Sequence, residues 1–291
     1  MIIVITGPTC LAKSESALKV AQLSNAEIIN GDAFQIYKEM NIGVAKPPKE
    51  YFSLIPHHLY SFVSIFEPYS IAQYQKDLRS TIADIVSRNK NVIIVGGSGL
   101  YIRSALYDYE FKDEEPFDTS IFDDLSNEEL HAKLEEIDPL EAKKIHQNNR
   151  KRIIRALAIY LSQNKTKSEI NSSQSHKPIY EDVRFFVRDL PREELYKRIN
   201  KHVDMMMDSG LLNEVKSIYE KYGNSLQAMQ AIGYKEFVPY FNGQASLEDT
   251  IELIKKNTRN YAKRQMTFIR HQFPVIFYKN DTQLIEVIEN G

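Results

Sequence analysis

The chain opens with an apolar strand, a turn and a helix in direct succession. Ile2–Thr6 is a β-branched run that Gly7-Pro8 ends, and small apolar residues recur at helical spacing from Lys13 to Leu23. The eight residues between them, 7–14, read Gly-Pro-Thr-Cys-Leu-Ala-Lys-Ser. This is the pattern of a phosphate-binding loop, G-x-x-x-x-G-K-[ST], with Ala12 in place of the second glycine. It predicts an α/β fold in which this loop faces an anion.

The chemistry of the loop follows from its residue types. Backbone N–H groups and the N-terminus of the helix attract a phosphate, Lys13 adds a positive charge, and the Ser14 hydroxyl is a ligand for Mg²⁺. If residue 12 has a positive φ, an alanine there costs about 1–2 kcal/mol and brings a methyl group close to the phosphate. A chance strand–turn–helix with a solvated lysine is the alternative interpretation.

Further strands and helices alternate along the first third of the chain. Glu27–Asn30 and Asn91–Val95 are apolar runs that end in glycines, and Ser70 is a predicted N-cap for a helix that begins at Ile71. Alternation of this kind predicts a parallel sheet with helices on both faces. The strand signal then disappears until Val183–Arg188, and a last short strand is predicted at Val275–Tyr278.

These patterns predict an α/β, P-loop-type parallel sheet core with an inserted all-helical subdomain. The predicted core comprises residues 1–109 and 183–291, and the predicted insertion is 110–182. In the insertion, Ser126 with Glu129 forms a capping-box pattern, and Asp138-Pro139 begins another helix. Asn171–Pro178 is polar and is predicted to be a loop.

Asp32 follows the second predicted strand, where ligands bind in open α/β sheets. We expect it to face whatever Lys13 holds, although an aspartate that only caps a turn is the plainer interpretation. An ATP-hydrolysing loop also needs a Mg²⁺-binding acid after a second strand. Asn91–Val95 instead leads into Gly-Gly-Ser-Gly at 96–99, which argues against a small-molecule or nucleotide kinase.

Motifs along nearly the whole chain resemble those of the tRNA dimethylallyltransferases, also called tRNA isopentenyltransferases. The chain has near-matches, in collinear order, to G-P-T-x-x-G-K-[ST], D-S-x-Q-x-Y at Asp32–Tyr37, I-G-T-A-K-P, P-H-H-L, G-G-T-G-L-Y at Gly96–Tyr101, N-x-x-R-R-x-x-R-A-L at Asn148–Leu157, L-Y-x-R-I-x-x-R-V-D-x-M…G-L-x-x-E-V at Leu195–Val215, A-I-G-Y-K-E at Ala231–Glu236 and Y-A-K-R-Q at Tyr261–Gln265. A single loop motif could not produce this agreement.

The resemblance implies transfer of a dimethylallyl group from dimethylallyl pyrophosphate to the exocyclic amine of an adenosine next to the tRNA anticodon, with release of pyrophosphate. Asp32, Lys13 and Ser14 are then the catalytic residues, with Asp32 as the base and Ser14 as the Mg²⁺ ligand. The pyrophosphate-binding residues are Gly7, Pro8, Thr9, Cys10, Leu11, Ala12, Lys13, Ser14 and His202. The tRNA-binding residues are Asp32, Ala33, Phe34, Gln35, Ser98, Lys151, Arg152, Ile153, Ile154 and Arg155.

The chain departs from the family pattern at several of these positions. Ala12 replaces the loop glycine, Ala33 a serine, Val44 a threonine and His202 an arginine, whereas Ser98 keeps the hydroxyl of a threonine. We therefore keep a second hypothesis, a catalytically weakened or inactive relative that still binds tRNA.

The charge balance is nearly even, with 37 Lys and Arg against 39 Asp and Glu, so any RNA-binding surface must be local. The single cysteine, the absence of a signal-like N-terminus and the lack of a bilayer-length apolar run predict a cytoplasmic protein with no membrane partner. We expect a monomer. The candidate basic surface lies in the insertion, at Lys143, Lys144, His146, Arg150, Lys151, Arg152 and Arg155.

Overall fold

The computed structural model of the chain describes residues 1–111 and 117–290. It has two compact units, one formed by Met1–Leu106 with Tyr180–Gly291 and the other by Tyr107–Ile179. The second unit lies within a few residues of the range predicted for the insertion, of which residues 112–116 fall outside the described part of the chain. None of the described helices is both long and apolar enough to span a membrane.

The first unit is built on one parallel sheet. Its strands in the described residues are β1 (Ile2–Thr6), β2 (Ala26–Asn30), β3 (His57–His58), β4 (Asn91–Gly96), β5 (Val183–Arg188) and β6 (Val275–Tyr278). They are arranged in the order β3-β2-β4-β1-β5-β6, and every pair is parallel. The predicted fold class, an α/β parallel sheet, is confirmed.

Helices cover the sheet and make up the second unit. In chain order they are α1 (Lys13–Leu23), α2 (Lys49–Leu54), α3 (Ile71–Ser87), α4 (Gly99–Leu106), α5 (Asn127–Ile137), α6 (Pro139–Ala142), α7 (Arg150–Gln163), α8 (Lys167–Ser173), α9 (Arg192–Asp208), α10 (Leu211–Tyr222), α11 (Phe237–Phe241), α12 (Leu247–Gln272) and α13 (Asp281–Glu289). Helices α5 to α8 belong to the second unit. The loop predicted at Asn171–Pro178 is wrong in its first residues, because Thr166 and Glu169 form a capping box that begins α8.

Each unit has its own apolar core. In the first, inward-facing β-branched residues of the sheet pack on the small residues of α1 and on α13; the fully buried members include Ile3, Ile5, Ile28, Ile93, Ala17 and Leu284. In the second, α5 and α7 pack together through Leu130, Leu134, Ile153, Ala156 and Leu157. Fully burying one such side chain contributes about 1.5–3 kcal/mol, so these contacts fix both frameworks.

The position of β1 between β4 and β5 determines where the motifs meet. Because the strands are parallel, their carboxyl ends lie along one edge of the sheet. The segments that follow β1, β2 and β4 begin with Gly7, Gly31 and Gly97 respectively, and all three emerge at that edge. At Gly96 a methyl group would lie 2.0 Å from the backbone carbon of Gly31, so these segments touch backbone to backbone.

Candidate active site

The 7–14 loop wraps around the amino group of its own lysine. Lys13 Nζ donates a hydrogen bond to the Pro8 carbonyl at 2.7 Å, and α1 begins at Lys13 itself. Gly7 has a φ of 135°, which a side chain would rarely adopt. Cys10 (φ 65°) and Ala12 (φ 54°, ψ 33°) are both in the left-handed region. Residue 12 therefore has the positive φ that the sequence analysis considered, and an alanine occupies a backbone conformation that favours glycine.

Lys13 and Asp32 form a pair of groups with opposed pKa shifts. Removal from water lowers the pKa of Lys13 to about 8, although the Asp32 charge opposes the change. Burial raises the pKa of Asp32, and the Phe34 backbone N–H, 2.9 Å from Asp32 Oδ1, and the Lys13 charge oppose it. A carboxylate that holds a proton more readily beside a cation of reduced pKa is the electrostatic pattern of a reactive site.

Three tyrosines lie close enough to Asp32 to be affected by its charge. Tyr101 and Tyr261 stand in motifs matched in the sequence, whereas Tyr60 lies outside them. Burial raises the pKa of Tyr60, Tyr101 and Tyr261, and the Asp32 charge adds to the shift in each case; for the last two the pKa rises to about 12. These phenols come from separate parts of the chain, so no spacing rule could have grouped them. They bring aromatic rings near Asp32, and such rings can stack on a planar ligand.

Ser98 connects the ends of β2 and β4. Its Oγ accepts a hydrogen bond from the Ala33 backbone N–H at 3.0 Å. Its neighbour Gly97 contacts α12, where Gln265 Nε2 donates to the Gly97 carbonyl at 2.9 Å. Gln265 is only 7% exposed, and its Oε1 has no hydrogen-bond partner among the described residues. Ser98 thus lies where the segments that follow β2 and β4 meet, beside Ala33.

His202 faces the 7–14 loop from α9. Burial lowers the pKa of its imidazole, and the Lys13 charge lowers it further. Its Nε2 is buried without a hydrogen-bond partner in the described part of the chain. One turn earlier on α9, Arg198 forms an ion pair with Glu194. The imidazole of His202 is therefore neutral near pH 7, has an unpaired ring nitrogen and lies close enough to Lys13 to be affected by its charge.

A cavity of about 340 Å³ adjoins the 7–14 loop beside β5. Pro8 and Leu11 of the loop form part of its wall. Its other walls combine apolar and cationic side chains, among them Leu195, Met266, Arg192, Lys263 and Arg270. Such a lining suits a ligand that carries both an apolar group and phosphates.

The basic residues of the second unit fall into different environments. Lys151, Arg152 and Arg155 are exposed on α7, whereas Ile154 is half buried. Ile153 is completely buried in the core of the unit, so its side chain holds the helix in place and cannot contact RNA at the surface. The tRNA-binding role predicted for the segment that contains Ile153 stays a prediction, and the buried side chain of this residue has no part in it.

Arg150 also differs from its expected role in the basic surface. Its guanidinium donates hydrogen bonds to the carbonyls of Phe122 and Leu125, at 2.6 and 2.5 Å. Arg150 therefore links α7 to the turn before α5, and its donors are used in hydrogen bonds within the protein.

Metal ligands at the site are few. Among residues 1–111 and 117–290, no three His, Cys, Asp or Glu side chains are grouped so as to hold a metal ion. Ser14, half buried in the first turn of α1, offers one hydroxyl oxygen. A Mg²⁺ ion here would take most of its oxygen ligands from substrate phosphates and water, an arrangement common for Mg²⁺.

The fold and the loop define a P-loop-type α/β protein whose 7–14 loop lies at the carboxyl edge of its parallel sheet. The model of a protein family described as IPP transferase matches residues 35–272. The chain belongs to this family, and the resemblance noted from its sequence is confirmed.

Relatives and solved structures agree with this assignment. The tRNA dimethylallyltransferase of Anoxybacillus flavithermus is 45% identical over 279 residues, which cover 95% of this chain and 89% of the relative. That of Bacillus subtilis is 42% identical over 283 residues, covering 95% and 90%. The crystal structure of a tRNA isopentenylpyrophosphate transferase from Staphylococcus epidermidis has a TM-score of 0.74 at 38% identity, covering 99% of this chain and 97% of the other. A eukaryotic dimethylallyltransferase acting on tRNA gives a TM-score of 0.79 at 31% identity, covering 97% and 75%.

Proposed function

We propose that the chain transfers a dimethylallyl group from dimethylallyl pyrophosphate to the exocyclic amine of an adenosine next to the anticodon of a tRNA. In the reaction, the bond between the allylic carbon and the pyrophosphate oxygen breaks, and a bond from that carbon to the amine nitrogen forms. The amine loses one proton. The pyrophosphate leaves with the electrons of the broken bond.

The observation that carries the proposal is the juxtaposition of Asp32 and Lys13. An adenine amine is a weak nucleophile, and a carboxylate that accepts its proton is worth about 10²–10⁴-fold in rate. The raised pKa of Asp32 suits it to this role. Lys13, the loop N–H groups and the N-terminus of α1 stabilise the charge that develops on the departing pyrophosphate.

Other predicted residues take supporting roles in this proposal. Ser14 is the protein ligand for Mg²⁺, which neutralises pyrophosphate charge when bound. Ala33, Phe34, Gln35 and Ser98 meet the adenosine, which must leave its stack to reach the site. Lys151, Arg152 and Arg155 bind the RNA backbone from their exposed positions on α7.

A second candidate function is a weakened enzyme, or a relative that binds tRNA without turnover. It is favoured by Ala12 in a left-handed conformation and by the neutral His202 in place of a permanent cation. The kinase considered from the sequence is not supported, because the family model and the relatives are tRNA prenyltransferases.

One assay distinguishes these candidates. Purified protein is incubated with dimethylallyl pyrophosphate, Mg²⁺ and unmodified tRNA, and the digested nucleosides are analysed by mass spectrometry. We expect prenylated adenosine. Bound tRNA without this product would favour the non-catalytic relative and refute the proposed reaction.

The role of Asp32 is tested with the Asp32→Ala variant. We expect turnover to fall below detection while tRNA affinity stays within a few-fold of the wild type, because the carboxylate acts on the proton and does not hold the RNA backbone. Asp208→Ala, an exposed aspartate at the end of α9, is the matched control and should keep full activity. Full activity in Asp32→Ala would exclude Asp32 as the base.

A further inference from the structure

The side chain of Glu214 on α10 anchors a loop that begins far away in the sequence. Its Oε2 accepts hydrogen bonds from the backbone N–H groups of Asn41 and Ile42, at 3.0 and 2.9 Å. Its Oε1 accepts from the Gly43 N–H at 3.0 Å and from the Tyr234 hydroxyl at 2.6 Å. Successive backbone N–H groups converging on one carboxylate form a strong anion-binding arrangement.

Gly43 shows how closely this loop is pressed against its support. A methyl group at Gly43 would lie 2.4 Å from the Tyr234 ring, which is itself completely buried. The Glu214 carboxylate thus holds the backbone of residues 41–43, and at Gly43 the Tyr234 ring packs so closely that no side chain fits.

The next two residues of the loop hold the side chain of Gln35. Gln35 Nε2 donates to the Val44 carbonyl at 2.9 Å and to the Ala45 carbonyl at 3.1 Å. Both amide hydrogens are used, so the oxygen Oε1 is the part of this amide left to meet a substrate, and it is an acceptor. The direction in which the amide faces therefore depends on where the loop carbonyls lie.

The backbone of Gln35 is fixed by a different part of the chain. The Gln35 carbonyl accepts from the Ser61 N–H at 3.1 Å, and the following carbonyl, of Ile36, accepts from Phe62 at 2.9 Å. Loosening the loop at 41–45 would therefore leave the main chain next to Asp32 in place. It would release only the orientation of the Gln35 amide.

We infer that Glu214 is a positioning residue for acceptor recognition, an inference that rests on the proposed function. By fixing residues 41–45, it keeps Gln35 Oε1 turned toward the exocyclic amine of the adenine, which donates a hydrogen bond. If the amide could rotate, its own NH₂ group would face that amine, and two donors would oppose each other. Glu214 thus acts on tRNA recognition through Gln35 and leaves the pyrophosphate site unaffected.

The first test is the steady-state kinetics of Glu214→Gln with each substrate varied in turn. The amide of the new glutamine opposes the loop N–H groups, so we expect kcat/KM for tRNA to fall at least tenfold. The KM for dimethylallyl pyrophosphate should stay within twofold, because the 7–14 loop is held by its own bonds. Glu220→Gln, at an exposed position on the same helix, should match the wild type. An equal loss for both substrates would contradict the inference.

The second test is a double-mutant cycle with Gln35→Leu. If Glu214 acts through Gln35, the double variant should be no worse for tRNA than Gln35→Leu alone, within twofold. A merely structural role predicts that the two losses multiply, and that result would overturn the inference. Where Glu214→Gln fails to fold, Tyr234→Phe takes its place in the cycle, since it removes only one donor from the carboxylate; we then expect a smaller loss in the same direction.

Activity of the wild type, measured in the same assay, distinguishes failure of the proposed function from failure of the inference about Glu214. No prenylated adenosine from the wild type would refute the proposed function and the inference with it. Product from the wild type together with multiplying losses in the cycle would refute only the link between Glu214 and Gln35.

Discussion

Ala12→Gly should stabilise the protein, although the same change in a helix destabilises it. An alanine in the left-handed region costs about 1–2 kcal/mol relative to the ordinary conformation, whereas glycine adopts it freely. Glycine also gives the unfolded chain more conformational freedom, which lowers the free energy of unfolding by about 0.4–1 kcal/mol. The net expectation is a gain of about 1 kcal/mol in the free energy of unfolding.

The gain can be converted into a melting temperature. An unfolding entropy of about 2.1 cal/mol/K per residue, over a chain of 291 residues, amounts to about 0.6 kcal/mol/K. The variant should therefore melt about 1–2 °C higher, and its urea midpoint should rise. Both are measured against Ala83→Gly, an exposed alanine inside α3, where the same substitution should cost about 1 kcal/mol.

Donor binding gives an independent measurement on the same variant. The backbone strain at Ala12 is present with and without the donor, so it cancels from the affinity. Only the exposed methyl group can interfere with the phosphate. We expect titration calorimetry with dimethylallyl pyrophosphate to show a several-fold lower Kd for Ala12→Gly. An unchanged Kd would show that the methyl group does not hinder donor binding. If the melting temperatures of Ala12→Gly and Ala83→Gly shifted in the same direction, the argument from the left-handed conformation of residue 12 would be refuted.

Three further predictions concern charge. The affinity of the wild type for dimethylallyl pyrophosphate should fall as pH rises through about 8, where the buried Lys13 of the free protein loses its proton, and Lys13→Met should bind weakly without this pH dependence. His202→Arg should bind the donor more tightly at pH 7 than the wild type does, because the pKa of His202 is lowered and its ring is neutral there; equal Kd values would remove His202 from the pyrophosphate site. Glu27→Gln should lower the free energy of unfolding by about 1–3 kcal/mol at pH 7, since Arg88, Lys90 and His58 hold the pKa of this buried carboxyl well below its usual range. The wild-type advantage is present above the unfolded-state pKa and is lost as pH falls, so urea midpoints of the two proteins should converge in acid.

The strands that the sequence predicted correctly are those with clear boundaries. Ile2–Thr6, Val183–Arg188 and Val275–Tyr278 begin and end as expected, because runs rich in β-branched or aromatic residues give way abruptly to glycine or charged residues. The Ser70 cap is likewise confirmed, since its side chain bonds to the Gln73 N–H. The edge strand His57–His58 was not predicted, because two residues show no periodicity and only their neighbour β2 makes them a strand.

The candidate site was predictable only where it lies close to a strand end. Lys13, Asp32 and Ser98 could be grouped because parallel strands bring their carboxyl ends to one edge. Gln265 and Glu214 lie in motifs matched in the sequence, but their contacts were not predictable, because each side chain lies on a distant helix and meets its partner only after packing. The sequence therefore identifies the residues at the strand ends, whereas the contacts that hold them in place are seen only in the folded chain.

The place of β1 in the sheet also determines how the chain can fold during translation. Strand β1 is synthesised before both of its neighbours: β4 pairs with one of its edges, and β5, which pairs with the other, is made after the whole second unit. Until then the nascent chain presents an apolar strand with one unpaired edge, the kind of surface that pairs with other chains. We expect the α5–α8 unit to fold on its own during this interval, and the phosphate loop to gain its final geometry only after Val183–Arg188 has joined β1.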